Sequence, residues 1–150
     1  MILADEADTL ALGAWLADRL RVGDVVALSG PLGSGKTTLA RGCIAALGHA
    51  GEVASPTFTV VQSYGVAETR LPLLHVDLYR LDDAREADEL GLDDARADHA
   101  LIVEWPERLG DRLWPDALRL TLEPLAADAR RLTASVPPAW EARWPPPSSR

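Results

Sequence analysis

Eight consecutive residues, Gly30-Pro31-Leu32-Gly33-Ser34-Gly35-Lys36-Thr37, fit the pattern G-x-x-x-x-G-K-[ST]. In that pattern, glycine-rich backbone N–H groups cradle phosphates while the lysine reaches the terminal ones. Lys36 is the sole lysine among 15 basic residues; the others are arginine. Lysine offers a compact ammonium point charge where arginine offers a planar fork, so a chain that otherwise uses arginine needs lysine's geometry here. The implied ligand is a nucleoside triphosphate.

A phosphate loop also needs hard oxygen ligands for the magnesium that bridges the nucleotide's phosphates. Thr37 supplies a hydroxyl, and the carboxylate has two candidates. Asp77 closes the apolar run Leu73-Leu74-His75-Val76-Asp77, and Glu104 closes Leu101-Ile102-Val103-Glu104. A strand's period of two places His75, Asp77 and Tyr79 on one face, a polar row that reads as a wet face lining a site.

These residues require a scaffold of alternating strands and helices. Val25 to Leu28 reads as a buried strand entering the loop. Thr38 to Leu47 reads as the helix leaving it, stopped by Gly48 and carrying the small core residue Cys43. Before them, Leu12, Trp15, Leu16 and Leu20 mark an amphipathic helix ending near Gly23. Thr57 to Tyr64 and Leu73 to Arg80 form one expected hairpin, and Ala117 to Leu122 with Arg131 to Val136 a second. Between them, Asp83 with Glu86 is a capping-box pattern that opens a helix stopping at Gly91. A further short helix is expected from Asp94 to His99, followed by a strand at Leu101 to Val103. The expected fold is α/β: a P-loop NTPase-like three-layer sandwich with a mixed, largely parallel sheet and antiparallel hairpins. This P-loop domain would span 1–136. Five of the 11 prolines follow Val136, so 137–150 reads as a disordered tail anchored only by Trp140 and Trp144.

Charge narrows the class further. The net charge of −8 argues against a bare nucleic-acid-binding module. Eight acidic residues and two arginines fall between Asp82 and Asp98, either as a solvated face or as a docking surface for a basic partner. The start, Met1-Ile2-Leu3-Ala4-Asp5-Glu6, is acidic and lacks a long apolar stretch, which reads as neither signal peptide nor membrane span. With a lone cysteine, a cytoplasmic location is expected.

The glycine loop, then Ser55-Pro56-Thr57-Phe58, His75-Val76-Asp77-Leu78-Tyr79-Arg80 and Val103-Glu104-Trp105-Pro106-Glu107 occur in this order. Together they resemble the bacterial TsaE (YjeE) family of small ATPases needed to make threonylcarbamoyladenosine in tRNA. The resemblance runs from about Asp5 to Ser135. Pro31 stands where the family usually has an acidic or amide residue, at a position pointing out of the loop.

The resemblance implies that Gly33, Ser34, Gly35, Lys36, Thr37 and Thr38 hold the phosphates of ATP or ADP. It places Mg2+ on Thr37 and Glu104 and gives Asp77, with Lys36, a role in hydrolysis. Thr57 would sit in a γ-phosphate-sensing switch, and Thr9 and Arg130 near the base. Trp105 would pack over the site or simply fill the core, and His75 would be structural. The implied partners are TsaD and TsaB, with tRNA engaged only through them and no membrane. Two other classes share the loop. A small-molecule kinase needs an arginine-bearing lid, whereas the segment after Tyr79 is acidic. A nucleotide-gated binding module would not need turnover at all.

Overall fold

The near-continuous apolar runs of Val25–Ser29 (β2) and Ala100–Glu104 (β5) have no wet face, which suits central strands of a parallel sheet covered on both sides. The computed structural model describes residues 1–51, 53, 61–65, 67 and 69–146. Ile2–Leu3 (β1), Val61–Tyr64 (β3), Leu73–Asp77 (β4), Leu118–Pro124 (β6) and Arg130–Ser135 (β7) complete a seven-stranded sheet in the order β1-β7-β6-β2-β5-β4-β3. The inner strands β6, β2, β5 and β4 are parallel to one another. The edges are antiparallel, β3 on β4 and β6 on β7 as the two expected hairpins and β1 on β7.

Helices Glu6–Arg19 (α1) and Lys36–Ala46 (α2) cover one face. Their apolar sides bury Leu12, Leu16, Leu39, Cys43 and Ile44 against Val26, Leu28, Leu118 and Leu120. The two helices cross at glycines: a Cβ on Gly13 would stand 2.2 Å from the Leu39 carbonyl oxygen, and one on Gly42 2.4 Å from that of Leu10. The second face is covered by the 3-10 segments Ala84–Leu90 and Pro106–Arg112 and by the one-turn helix Leu92–Ala95 (α3). Three layers result. No helix among the described residues is long and apolar enough to cross a membrane.

Several expectations change in detail. Asp83 does cap a helical segment, but its carboxylate accepts from the Arg85 N–H, and a tighter 3-10 turn forms instead of an α-helix. In place of the helix expected at Asp94 to His99, α3 begins two residues earlier and stops at Ala95. β4 stops at Asp77 rather than Arg80, because the Asp77 carboxylate accepts from the Tyr79 N–H and turns the chain out of the sheet.

The largest correction is at the C-terminus. Residues 137–146 are packed, not a free tail. Pro138–Trp140 forms a 3-10 turn that drives Trp140 into the α1/α2 core with no exposed surface. Trp144 meets Trp15 edge-on at 5.5 Å between ring centroids. Arg143 forms a two-pronged pair with Asp24, at 2.6 and 3.1 Å, and also donates to the Arg19 carbonyl. Proline denies this segment a regular element but not burial, and two indoles with one guanidinium supply the contacts.

Candidate functional site

The site grows from the chain reversal between β2 and α2. Gly35 precedes the first residue of α2 with φ 103°, a left-handed conformation that favours glycine. The amides at the α2 N-terminus carry a partial positive charge that suits an anion. Lys36, only 5% exposed, bends back over the loop and donates to the carbonyls of Gly30 (2.5 Å) and Pro31 (3.0 Å). Burial lowers its pKa, while the charges of Glu104, Asp77 and Glu107 oppose that shift.

The carboxylates arrive from the parallel strands. Asp77 and Glu104 are paired in register on β4 and β5, and Glu104 in turn is paired with Leu28 on β2. Both acids therefore stand at the C-terminal edge of the sheet, beside the phosphate loop, where open α/β sheets bind ligands. The Thr37 hydroxyl donates to Glu104 at 3.1 Å to Oε1 and 3.2 Å to Oε2. A hydroxyl and a carboxylate side by side are hard oxygen donors that suit a small divalent cation. Asp77 makes no such contact; its Oδ1 accepts from the Tyr79 N–H at 2.9 Å. Burial raises the Asp77 pKa against the pull of that N–H, and the neighbouring Glu104 charge adds to the rise.

His75 corrects the expectation of a wet polar row. It has no exposed surface, and its Nε2 lies 2.6 Å from Glu104 Oε2. Tyr79 leaves the strand and packs on Trp105, ring centroids 4.9 Å apart. Trp105 itself has φ 60°, which swings its indole back so that the Lys36 ammonium lies 4.5 Å from the ring centroid. Trp105 therefore packs over the site, the first of the two roles open to it.

These groups line a cleft of about 200 Å³ that brings together Gly33, Ser34, Gly35, Lys36, Thr37, Thr38, Asp77, Glu104, Trp105 and Arg130. A smaller hollow of about 50 Å³ adjoins it, lined by Thr9, Gly35, Thr38 and Arg130, together with the acids Glu6 and Asp128. Thr9 and Arg130, far apart in sequence, thus line one hollow beside the loop. Glu6 and Asp128 carried no sequence signal, because acids in a helix's first turn and in a hairpin turn are common. Thr57 and its Ser55-Pro56-Thr57-Phe58 motif lie outside the described residues.

A family model described as Threonylcarbamoyl adenosine biosynthesis protein TsaE matches residues 3–132. The chain is 44% identical over 118 residues to the tRNA threonylcarbamoyladenosine biosynthesis protein TsaE of Streptomyces coelicolor, covering 78% of this chain and 80% of that one. To the protein of the same name from Bacillus subtilis it is 35% identical over 127 residues, covering 84% and 78%. The crystal structure of Bacillus subtilis YdiB aligns over 95% of this chain and 88% of that one, with TM-score 0.77 and 28% identity. With its P-loop NTPase-like α/β sandwich, and on the strength of these matches, the chain belongs to the TsaE family.

Proposed function

We propose that this chain is the ATP-binding and ATP-hydrolysing component of the machinery that makes threonylcarbamoyladenosine in tRNA. The observation that carries the reading is the convergence of Lys36, Thr37 and Glu104 at the N-terminus of α2, with Asp77 next to Glu104 in register. The loop amides and Lys36 hold the phosphates of ATP. For Lys36 this means exchanging the Gly30 and Pro31 carbonyls for phosphate oxygens, which its flexible four-carbon stem allows.

Thr37 and Glu104 hold Mg2+, which when bound neutralises charge on the phosphate oxygens. Asp77, adjacent but free of Thr37, orients the attacking water. Its buried carboxylate is a stronger proton acceptor than one in solvent, as that work requires. The energy of the cycle passes to TsaD and TsaB, with tRNA met through them; the chain's net charge of −8 fits a protein that does not itself grip tRNA. The expected compartment is the cytoplasm.

The test is phosphate release from Mg2+-ATP by the full chain, alone and with TsaB and TsaD, with no other acceptor present. Slow release that rises with the partners supports the reading; strict dependence on an added metabolite would make it a kinase instead. Lys36→Ala should abolish release and fail to restore modified tRNA in bacteria depleted of their own TsaE. Restoration by that variant would defeat the proposal.

A further inference from the structure

Behind Glu104 stands His75. It is a fully buried imidazole within 2.6 Å of Glu104 Oε2, and its other nitrogen, Nδ1, is buried without a hydrogen-bond partner among the described residues. A residue kept only for structure would use both ring nitrogens or be replaced by an apolar side chain, since a buried polar atom without a partner destabilises the fold. Here one nitrogen carries the whole purpose of the side chain, and that nitrogen meets the acid beside Thr37.

We propose that His75 is a positioning residue for Glu104: its Nε2–H holds Oε2, so that Oε1 and the Thr37 hydroxyl are presented together to the divalent cation. The inference rests on the proposed Mg2+–ATP reading and goes beyond it in naming what orients the carboxylate. Two donors, Nε2–H of His75 and the hydroxyl of Thr37, approach one carboxylate from β4 and α2. A carboxylate on a strand end has free χ rotation unless such partners fix it, and hydrogen bonds to a metal's ligands orient them in this way. The register makes the contact available. His75 is paired with Ile102, two residues before Glu104, so both side chains leave the same face of adjacent strands. Because Glu104 accepts, Nε2 carries the proton.

The experiment compares wild type, His75→Leu and His75→Gln by titrating a fluorescent ATP analogue, with EDTA and across a Mg2+ series. Gln retains an amide donor near the position of Nε2; Leu keeps bulk and removes the donor. His75→Leu should need about 10-fold more Mg2+ for half-maximal binding, as partners of metal ligands typically show. Its affinity in EDTA should match wild type, and His75→Gln should recover most of the Mg2+ response. Loss of affinity in EDTA as well, or equal damage in both variants, would make His75 structural and overturn the proposal. Wild-type binding that ignores Mg2+ would instead overturn the metal reading beneath it, whereas a Mg2+-dependent wild type matched by His75→Leu would overturn the role of His75 alone.

Discussion

Asp77 and Glu104 are partners in register on adjacent parallel strands, yet only Glu104 touches Thr37. One strand spacing separates two acids with different surroundings. Glu104 is held by a hydroxyl and an imidazole, while among the described residues Asp77 is held by the Tyr79 backbone N–H. This asymmetry divides their proposed tasks. Glu104→Ala should raise the Mg2+ needed for nucleotide binding by about 10-fold or more, the usual scale for damage to a metal site. Asp77→Ala should leave binding within a few-fold and slow phosphate release by about 100-fold, the lower end of a general base's contribution. Calorimetric titration with Mg2+-ATP and a phosphate-release assay separate the two; equal losses of affinity would remove the distinction.

Asp77 also makes a prediction about stability. Burial raises its folded pKa above the ordinary carboxylate value, so the folded state binds that proton more tightly than the unfolded chain does. Its contribution to stability is therefore fully present below the unfolded pKa and is lost as pH rises through the folded one. At neutral pH the charged form is a liability kept for function. Asp77→Asn should melt about 2 °C above wild type at pH 7, a modest gain for a carboxyl at a solvent-lined cleft. The difference should shrink as the pH falls toward 4. Thermal melts across that range, with a pH-independent difference as the contrary result, decide it.

Lys36 should not tolerate arginine. Its ammonium is enclosed by the Gly30 and Pro31 carbonyls and faces the Trp105 ring at 4.5 Å. A guanidinium is broader and planar and would displace either the indole or the loop. Lys36→Arg keeps the charge but should weaken ATP binding by at least about 10-fold, which is about 1.4 kcal/mol. Affinity close to wild type would show that charge alone is needed here.

The C-terminal segment should prove part of the fold. Trp140 is fully buried in the core beneath α1 and α2. Trp140→Ala should cost about 3–5 kcal/mol, the range for an aromatic deleted from a packed core. Removing residues 137–150 should cost at least as much, because the Arg143–Asp24 pair leaves with it. Urea denaturation of the full and shortened chains is the measurement; equal midpoints would return the segment to the status of a tail.

The reach of the sequence can be judged from particular residues. Gly30 to Thr37 was readable as a phosphate loop because its chemistry is local: a turn, a helix N-terminus and a lysine need no distant partner. The central strands β2 and β5 were readable because burial on both faces leaves a near-continuous apolar run, the first hairpin from the polar residues of its turn and the second from the alternation of its strands. Where a competing local bond won, the reading slipped: the Asp77–Tyr79 bond ended β4 three residues early. Composition also misled at 137–146, where proline content says nothing about whether a tryptophan will find a core.

What only the tertiary structure decided is which distant residues meet. Position along the strands left Asp77 and Glu104 equal, since both are acids closing apolar runs, and only the family resemblance favoured Glu104. Register and the placement of α2 set Glu104 against Thr37, 67 positions away, and put His75 behind it. Neither contact leaves a trace in local pattern, because a hydrogen bond between strand and helix depends on sheet order, strand alignment and helix packing together. The sequence determined a glycine loop leading into a helix; the fold determined which carboxylate stands beside that helix's first turn and what holds that carboxylate in place.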